Sequence, residues 1–352
     1  MTIEKEEELQ SGTDMLASEM QPLLRRIGLY FGELHPTGQI SFTYLTEGAA
    51  NVVWLIHFLD SNLQRYDSSA VLRMRKNIPS TVSMQDLKCD FEERIAPLFV
   101  FDPSLLLPVD LVQVSPAVVE KLNDKLYELE VGSARSALRK GIYHPKFEVE
   151  PYAMLMSNLG HGPGKLIEFK PKWLVQSPSA PRDAQRCRTC ALNSRRRAKG
   201  GSGRGDSGFC PFDLLSSHST VLAVALKQIW NDKASFDYFL DAFRIKVQPA
   251  LRELQKLQKQ HNEVGLDHFM NHAGRDFAVA MALRDCSVVL KVVASKQSEK
   301  LEIPLVKLLD LDLKDTGGGK LEKWARMEAE LIEEGWYTAS QDSSIQCAMS
   351  FQ

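Results

Sequence analysis

The sequence lacks an excess of charge of either sign. Its 352 residues include 43 Lys and Arg against 45 Asp and Glu, which gives a formal net charge of -2. This balance excludes the bulk basic surface that drives non-specific nucleic-acid binding, so any site for a polyanion must be local. The hydrophobic fraction of 44% is enough to fill the core of two domains or of one large domain.

Long apolar runs are lacking as well. No uninterrupted apolar stretch approaches the roughly 20 residues that cross a bilayer, and Met1 is followed by an acidic run rather than by a basic and apolar signal segment. We therefore expect an intracellular protein without membrane contact. The Gly-x-x-x-x-Gly-Lys-Ser/Thr pattern of a P-loop is absent, and no repeat of roughly 20 to 50 residues indicates a solenoid or a propeller.

Cysteines are few. Six in so long a chain are too sparse for a disulfide scaffold. Cys187 and Cys190 have the start of a zinc-like spacing, with Cys210 and His218 further along, but a second tight pair is missing. Because structural zinc sites need four clear ligands, we expect reduced free thiols rather than a structural zinc.

Hydrophobic periodicity predicts the following elements. Alternating, β-rich runs predict a three-strand meander over 40–45, 52–58 and 69–75, and a second sheet-like region over 152–156 and 166–170 around a Gly- and Pro-containing turn. Further strands are expected at 277–283, 287–293 and 305–309, and helices at 86–100, 220–230, 234–261 and 321–334. The stretch 182–204 has eight basic residues against one acid and runs into a Gly/Ser segment, so we expect a mobile loop near 193–208.

A small-residue turn is the first candidate site. Glu47, Gly48, Ala49, Ala50 and Asn51 lie between two predicted strands, where small side chains let backbone N–H groups approach a phosphate. Such a turn is usually only a hairpin. Because a strand rather than a helix follows, the nearest nucleotide-binding analogue is the protein-kinase arrangement, in which the third strand supplies a cation to the phosphates.

Arg73 is the residue that fits this cationic role. It lies near the end of the third predicted strand, on the same face as Arg75. A solvated strand end is the alternative. Glu168, Lys170 and Lys172 recur with period two around Pro171. Two lysines directed into a cleft would neutralise phosphate, whereas lysines directed outward would protect an edge strand from aggregation.

Two acidic positions are candidates for proton transfer or cation binding. Asp285 is expected at a turn between two apolar strands, although turn aspartates are common. Asp310 and Asp312 would share one face of a strand, where like charges repel unless a cation joins them, and Mg²⁺ suits such a site. An exposed amphipathic strand is the alternative.

Taken together and in this order, the motifs resemble the inositol-pentakisphosphate 2-kinase family, in particular its fungal branch. The resemblance covers about residues 40 to 337. The ordered set of motifs is specific to the family, whereas no single motif is. Its motifs are Glu47-Gly-Ala-Ala-Asn51, Val71-Leu-Arg-Met-Arg-Lys76, Glu168-Phe-Lys-Pro-Lys-Trp173, Arg186-Cys-Arg-Thr-Cys-Ala-Leu192, Phe209-Cys-Pro-Phe-Asp213, Arg284-Asp-Cys-Ser287 and Asp310-Leu-Asp-Leu-Lys314.

The resemblance implies an α+β, two-lobed kinase-like fold. A small N-terminal lobe with an antiparallel sheet would cover residues 1–156, and a larger mixed lobe, with the inositol-phosphate-binding part, would cover 157–352. The implied reaction transfers the γ-phosphoryl group of ATP, with Mg²⁺, to the 2-hydroxyl of inositol 1,3,4,5,6-pentakisphosphate to give inositol hexakisphosphate. A monomer in the nucleus or cytoplasm, without a stable nucleic-acid complex, is expected.

The resemblance also implies roles for single residues. Residues 47–51 and Arg73 would bind the ATP phosphates, the segment from Met156 to Asn158 would lie beside adenine, and Glu168 would lie near the nucleotide. Asp285 would be the base and Asp310 the Mg²⁺ ligand, with Asp285 as a second candidate ligand. Substrate phosphates would meet the cations Lys170, Lys172, Arg186, Arg188, Lys314 and Lys320. For the family arginine that bridges the lobes, Arg135 and Arg139 both remain open, and the zinc-ligand set of the plant members is not recognisable.

The charge of the implied substrate sets a physical requirement. A pentakisphosphate carries about ten negative charges, so a nearly neutral chain must concentrate its cations in one place to bring ATP beside it. A non-catalytic module that binds a polyphosphate or RNA is the alternative function. Retention of both Asp285 and Asp310 favours the enzyme, because a pure binder gains nothing from acids beside phosphates.

Overall fold

The computed structural model describes residues 40–58, 68–79, 81–200, 208–262, 265, 275–295, 300–313, 320–338 and 347–351. The chain divides into two units. Unit 1 comprises Met1–Glu93 and Leu107–Pro163, and unit 2 comprises Arg94–Leu106 and Gly164–Gln352. Within the described residues, no helix combines the length and the apolar character that a membrane span requires.

Unit 1 contains a five-stranded antiparallel sheet. Its strands are β1 (Ile40–Glu47), β2 (Asn51–Phe58), β3 (Ala70–Arg75), β4 (Val109–Gln113) and β5 (Tyr152–Ser157). They are arranged in the order β1-β2-β3-β5-β4. The predicted three-strand meander is confirmed, and the short turn at residues 48–50 connects its first two strands.

Among the described residues of this unit, two α-helices accompany the sheet, α1 (Met84–Asp90) and α2 (Pro116–Val131). Pro116 occupies the first turn of α2, where its missing N–H is not needed. The buried side of α2, including Leu122 and Leu126, packs with Trp54 of β2 in the core of the unit. The helix predicted over 86–100 begins as α1 and continues as a short π turn and the 3₁₀ turn Ala96–Phe99, because Pro97 cannot extend an α-helix.

Unit 2 contains a three-stranded antiparallel sheet and five α-helices among the described residues. The strands, in spatial order, are β6 (Lys165–Phe169), β7 (Ser287–Ala294) and β8 (Leu301–Leu309). Phe169 of β6 contacts Phe243 of the longest helix at a ring distance of 6.2 Å. The helices are α3 (Arg188–Ala198), α4 (Ser219–Leu226), α5 (Phe236–Gln260), α6 (Arg275–Asp285) and α7 (Lys320–Glu333).

The α+β expectation is confirmed, because both units mix helices with antiparallel sheets. Both segments of the second predicted sheet-like region form strands, but the region is not a single sheet. Strand β5 pairs with β3 and β4, whereas β6 pairs with β7, so the two predicted neighbours belong to different sheets. Gly164 begins unit 2 with a φ of +109°, and a Cβ at this position would lie 2.7 Å from the carbonyl oxygen of Val292. This close approach requires glycine.

Two further predictions were wrong. Residues 277–283 form part of α6 rather than a strand, because the segment is buried on all sides and its apolar run carries no period that separates a strand from a helix. Residues 193–198 of the predicted mobile loop belong to α3, whose N-terminal half is buried and whose first turn is capped by the Cys187 side chain. The Gly/Ser part, 201–207, lies outside the described residues.

Candidate functional site

Two lysines and two aspartates of unit 2 form a connected lysine–aspartate cluster, which comprises Lys170, Lys172, Asp285 and Asp310. The Lys170 ammonium donates to Asp310 Oδ2 at 2.6 Å and to the backbone carbonyl of Asp285 at 2.8 Å. It also lies 3.8 Å from Asp285 Oδ2. The Lys172 ammonium donates to Asp285 Oδ1 at 2.7 Å. Two cations and two anions therefore balance one another within a few ångströms.

The three-stranded sheet brings these residues together. Lys170 follows β6, Asp285 ends α6 just before β7, and Asp310 follows β8. In the antiparallel ladder Phe169 pairs with Val288, and Ser287 pairs with Leu309. The end of β6, the start of β7 and the end of β8 consequently lie at one edge of the sheet.

This arrangement corrects the local structure predicted for the two acids. Asp285 is the last residue of a helix rather than part of a turn between strands. Asp310 lies beyond the end of β8 and has a φ of +61°, so Asp310 and Asp312 do not share a strand face. Lys172 also has a positive φ, +60°. Left-handed backbone is unfavourable for lysine and better tolerated by aspartate, and uncommon backbone conformations of this kind occur at functional sites.

Electrostatics favours the charged form of Lys170. Burial alone would lower the pKa of Lys170, but its hydrogen bond to Asp310 and the negative charges of Asp310 and Asp285 outweigh burial and raise that pKa. The side chains of Asp285 and Asp310 are 41% and 45% exposed. Solvent, and therefore a ligand, can reach both carboxylates.

A cationic pocket in unit 2 adjoins the cluster and shares Lys172 and Asp285 with it. Its other lining residues include three arginines, an asparagine and two tryptophans, namely Arg188, Arg196, Arg284, Asn193, Trp173 and Trp324. Among the described residues that line the pocket, four side chains are cationic and Asp285 is the single acid. A polyanion suits this charge distribution.

Trp173 organises two of these arginines. The guanidinium carbons of Arg188 and Arg284 lie 4.5 and 4.1 Å from the centroid of its indole ring, which is cation–π geometry. Arg188 Nε donates to the buried Glu328 at 2.9 Å. Arg284 is 1% exposed and donates to Asn262, but its Nε has no partner among the described residues. Burial, followed by the positive charge of Arg188, lowers the pKa of Arg284 to about 10.

The small-residue turn of unit 1 is anchored by a buried carboxylate. Glu47 is 6% exposed and binds the Arg135 guanidinium through both oxygens, at 2.9 and 3.0 Å. Lys76 Nζ lies 2.5 Å from Glu47 Oε2 and donates to the Gly48 carbonyl at 2.8 Å. Burial raises the pKa of Glu47, but the hydrogen bonds from Arg135 and Lys76 reverse this and hold it below its usual range. Arg139 donates to the Glu47 carbonyl.

The turn and β3 place Asn51 beside Arg73. With its side-chain oxygen directed at the guanidinium, Asn51 accepts from Arg73 at 2.6 and 3.2 Å. At the end of β5, Met156 pairs with Val71 and with Val109. The Asn158 backbone N–H donates to the Ser69 carbonyl at 2.8 Å. Unit 1 therefore holds these predicted nucleotide-binding residues on one sheet.

Comparison with known proteins shows the family. A model of the inositol-pentakisphosphate 2-kinase family matches residues 44–268 and 246–330. The chain belongs to this family. It is therefore a kinase, that is, a phosphotransferase. An inositol-pentakisphosphate 2-kinase of Yarrowia lipolytica is 26% identical over 326 residues, which cover 86% of this chain and 94% of the relative.

The residues predicted to bind substrate phosphates lie in different parts of this kinase. Lys170 and Lys172 belong to the cluster, and Arg188 lines the pocket. Arg186 is 1% exposed, donates to the Trp336 carbonyl at 3.4 Å and is not among the pocket-lining residues. Lys314 lies outside the described residues. Lys320 begins α7, and its side chain also lies outside the description.

Several residues of the pocket were not predicted as site residues. Arg284 and Trp173 belong to quoted motifs, but their stacking depends on the fold. Arg196 had a sequence signal: with Arg188 and Leu192 it recurs every four residues, which places all three on one side of a helix. Treating the segment as a loop concealed this period.

Proposed function

We propose that the protein transfers the γ-phosphoryl group of ATP to the 2-hydroxyl of inositol 1,3,4,5,6-pentakisphosphate and releases inositol hexakisphosphate. The observation that carries the proposal is the continuity of two features in unit 2: a pocket with four cations adjoins a pair of carboxylates, and Asp285 and Lys172 belong to both. A cationic pocket alone would serve a binding module, whereas the two carboxylates beside it favour a kinase.

Three observations support Asp285 as the general base. It accepts from Lys172, lines the pocket, and is partly exposed. A hydroxyl of an inositol phosphate held by Lys172, Arg188 and Arg196 would thus approach a carboxylate that can accept its proton. The cations reduce the repulsion between the substrate and ATP, and positioning with charge stabilisation supplies most of the rate in phosphoryl transfer.

The donor set at Asp310 suits Mg²⁺. Carboxylate oxygens from Asp310 and Asp285 already converge on one cation, the Lys170 ammonium, and oxygen donors of this kind are those that Mg²⁺ prefers. We assign Asp310, with Asp285, as the protein ligands of Mg²⁺, which supplies neutralisation of phosphoryl charge when bound. Lys170 now pairs with these two carboxylates. We propose that its ammonium contacts a phosphate instead when Mg²⁺ and the substrates bind.

For ATP we propose the residues already assembled in unit 1 and one residue of unit 2. The backbone of residues 48–51 and the Arg73 side chain would contact the phosphates, with Glu47 fixing the turn through Arg135 and Lys76. The segment from Met156 to Asn158 would contact adenine, and the exposed Glu168 would lie near the nucleotide. The two units would correspond to the lobes of a kinase-like fold. We further propose a monomer that works in the nucleus or cytoplasm without a stable nucleic-acid complex.

The test combines a substrate panel with one isosteric variant. The purified chain is incubated with ATP, Mg²⁺ and a series of inositol phosphates, and the products are separated by chromatography. We expect phosphorylation of inositol 1,3,4,5,6-pentakisphosphate at the 2-position. Asp285→Asn keeps the side-chain shape but cannot accept the proton, so its kcat should fall by about 10²-fold or more, while the affinity for the pentakisphosphate changes only a few-fold.

The matched control is Asp276→Asn, which removes an exposed carboxylate from the first turn of the same helix, α6. This variant should keep the wild-type rate. Wild-type turnover by Asp285→Asn would remove Asp285 as the base, and the absence of any hexakisphosphate product from the wild-type chain would refute the proposed reaction.

A further inference from the structure

A buried glutamine of α5 connects two of the segments that carry the lysine–aspartate cluster. Gln258 is 0% exposed, and its amide oxygen accepts from the backbone N–H of Leu174 at 2.7 Å. Its amide nitrogen donates to the backbone carbonyl of Lys172 at 3.0 Å and to that of Leu283 at 2.9 Å. One side chain therefore joins the segment that carries Lys172 to the end of the helix that carries Asp285.

The amide of Gln258 matches its surroundings in one orientation. Both of its N–H groups donate to carbonyls, and its oxygen faces an N–H. A reversed amide would direct its oxygen at the carbonyl oxygens and its nitrogen at the N–H, so it would satisfy none of these partners. An apolar side chain of the same size would fill the space but would leave the buried backbone groups without this partner, which costs stability.

The carbonyls that Gln258 binds belong to backbone that regular secondary structure does not fix. Leu283 lies in the last turn of α6, where the final carbonyls have no partner within the helix. Lys172 has a φ of +60°, a conformation that is unfavourable for lysine and that the surrounding structure must maintain. The hydrogen bond from Gln258 therefore supports the uncommon backbone of the residue whose ammonium donates to Asp285.

A second glutamine of α5 reinforces the connection. Gln255 Nε2 donates to the Leu174 carbonyl at 2.9 Å. Residues three positions apart are neighbours on a helix surface, so Gln255 and Gln258 together bind both the N–H and the carbonyl of Leu174. Leu251 and Leu254, each 0% exposed, anchor the same part of α5 in the core. The helix thus provides a fixed support for the segment that follows β6.

We propose that Gln258 is a positioning residue for the kinase reaction, which holds Lys172 and the end of α6 at the separation that lets the Lys172 ammonium pair with Asp285. This inference rests on the proposed function, in which both residues act in the cationic pocket. Gln258 is not among the described residues that line the pocket, so it acts through Lys172 and Asp285 rather than on the substrate. Positioning matters here because a displacement of about 1 Å can reduce a rate about 10²-fold.

The test is the variant Gln258→Met in the full-length chain, which keeps the approximate size of the side chain and removes its amide. In steady-state kinetics with ATP, Mg²⁺ and inositol 1,3,4,5,6-pentakisphosphate, kcat should fall about 10²-fold. The KM for the pentakisphosphate should rise, because Lys172 lines the pocket. The KM for ATP should stay close to wild type, since most of the proposed ATP contacts belong to unit 1.

The matched control is Gln248→Met on the same helix. Gln248 is 6% exposed, and its amide nitrogen likewise donates to two backbone carbonyls, those of Leu214 and Ser216, at 2.9 and 3.0 Å. Both variants should lower the unfolding temperature, because each removes a donor from buried carbonyls, but only Gln258→Met should lower kcat. A wild-type kcat in Gln258→Met, or an equal loss of kcat in both variants, would overturn the proposal.

Two further measurements cover the remaining outcomes. If Gln258→Met does not fold, Gln255→Met removes a single hydrogen bond from a half-buried position, and its kcat should fall several-fold; a wild-type kcat would then refute the proposal. If the wild-type chain forms no hexakisphosphate, the proposed reaction fails, whereas calorimetric titration with inositol hexakisphosphate still reports the placement of Lys172. Gln258→Met should weaken this binding and Gln248→Met should not, and equal affinities would contradict the positioning role.

Discussion

At the residue scale, the charge of Lys170 has a direct physical cause. Its ammonium is shared between Asp310 and the backbone carbonyl of Asp285, and the two carboxylates keep its pKa above the ordinary value despite burial. Lys170 thus remains charged throughout the physiological pH range. A residue in this state stabilises phosphate as a fixed cation and does not act as a general base.

Gly48 allows a test of the proposed phosphate-binding turn. A Cβ built on Gly48 meets no atom within 4 Å, and its φ does not lie in the left-handed region. Gly48→Ala should therefore fold normally, with stability unchanged or raised by about 0.4–1 kcal/mol because the unfolded chain loses freedom. If ATP phosphates occupy the open space, the added methyl group should raise the KM for ATP about tenfold, which corresponds to about 1.4 kcal/mol.

Steady-state kinetics and thermal unfolding of Gly48→Ala give the two readouts. The KM for the inositol phosphate serves as the internal control and should stay close to wild type. An unchanged KM for ATP would show that nothing approaches this turn closely, and it would then be only a hairpin.

Residue chemistry explains which parts of the site could be selected from sequence. Lys170, Lys172, Asp285 and Asp310 were singled out because few other residue types neutralise phosphate or accept a proton, and the structure joins all four in one cluster. The contacts of Arg188 and Arg284 with Trp173 could not be predicted in this way, since they join residues 15 and 111 positions apart in the sequence.

At the element scale, the limits of prediction follow from burial. Alternation of polar and apolar residues predicted β1 and β3 of the meander, and β-branched and aromatic residues predicted β2. Helix α6 is buried on every side from Phe277 to Leu283, so its sequence does not alternate between a polar, exposed face and an apolar, buried face. Tertiary packing, rather than the hydrophobic pattern of the sequence, decides that this segment forms a helix and not a strand.

His144 couples two strands of unit 1 and predicts an acid sensitivity. Its Nε2 accepts from Trp54 Nε1 of β2 at 3.0 Å, so its Nδ1 carries the hydrogen that reaches the Arg75 carbonyl of β3 at 2.9 Å. Burial, with the charges of Arg135 and Lys76, lowers the pKa of His144 from 6.5 to about 4. Protonation would add a hydrogen to His144 Nε2, where it would face the indole N–H of Trp54.

The sign of the pH effect follows from the two pKa values. Between about pH 6.5 and about pH 4 the unfolded chain binds a proton that the folded chain excludes, so stability falls as the pH falls through this window. The loss amounts to about 3 kcal/mol when complete. Above pH 6.5 both states are neutral at this residue and no penalty arises.

Thermal unfolding of wild type and His144→Gln at pH 7, 6 and 5 checks this expectation. The glutamine oxygen can still accept from Trp54 but does not titrate. At pH 7 the variant should be the less stable protein because of imperfect packing, and the difference should shrink steadily toward pH 5. A difference independent of pH would assign the acid sensitivity to other groups.

At the scale of the whole molecule, the order of the motifs was informative, whereas the assignment of residues 94–106 to unit 2 was not predictable. The ordered motifs indicated the family, and the family match confirms it. Residues 94–106 join unit 2 although they interrupt unit 1 in sequence. The cause is tertiary: Lys307 Nζ donates to the carbonyls of Ser104 and Leu106, at 2.7 and 3.1 Å, and Leu106 bridges Leu308. The amino-acid composition of residues 94–106 gives no indication of these contacts.

The charge distribution of the molecule gives a final prediction. A chain with a net charge of -2 concentrates Lys172, Arg188, Arg196 and Arg284 around one pocket. Binding of inositol hexakisphosphate should therefore depend on individual pocket cations. Arg196→Ala should weaken binding about tenfold, because a charge-assisted hydrogen bond contributes roughly 1.5–3 kcal/mol and a partly exposed one falls at or below the lower end.

The adjacent residue of α3 supplies the matched control. Arg197 is exposed and does not line the pocket, so Arg197→Ala removes the same charge from the same helix without removing a pocket-lining side chain. Calorimetric titration at two salt concentrations separates the local effect from the global one. If the bulk charge of the chain governed binding, both variants would lose equal affinity; a loss confined to Arg196→Ala, with a shallower salt dependence, follows only from a pocket that contacts the phosphates directly.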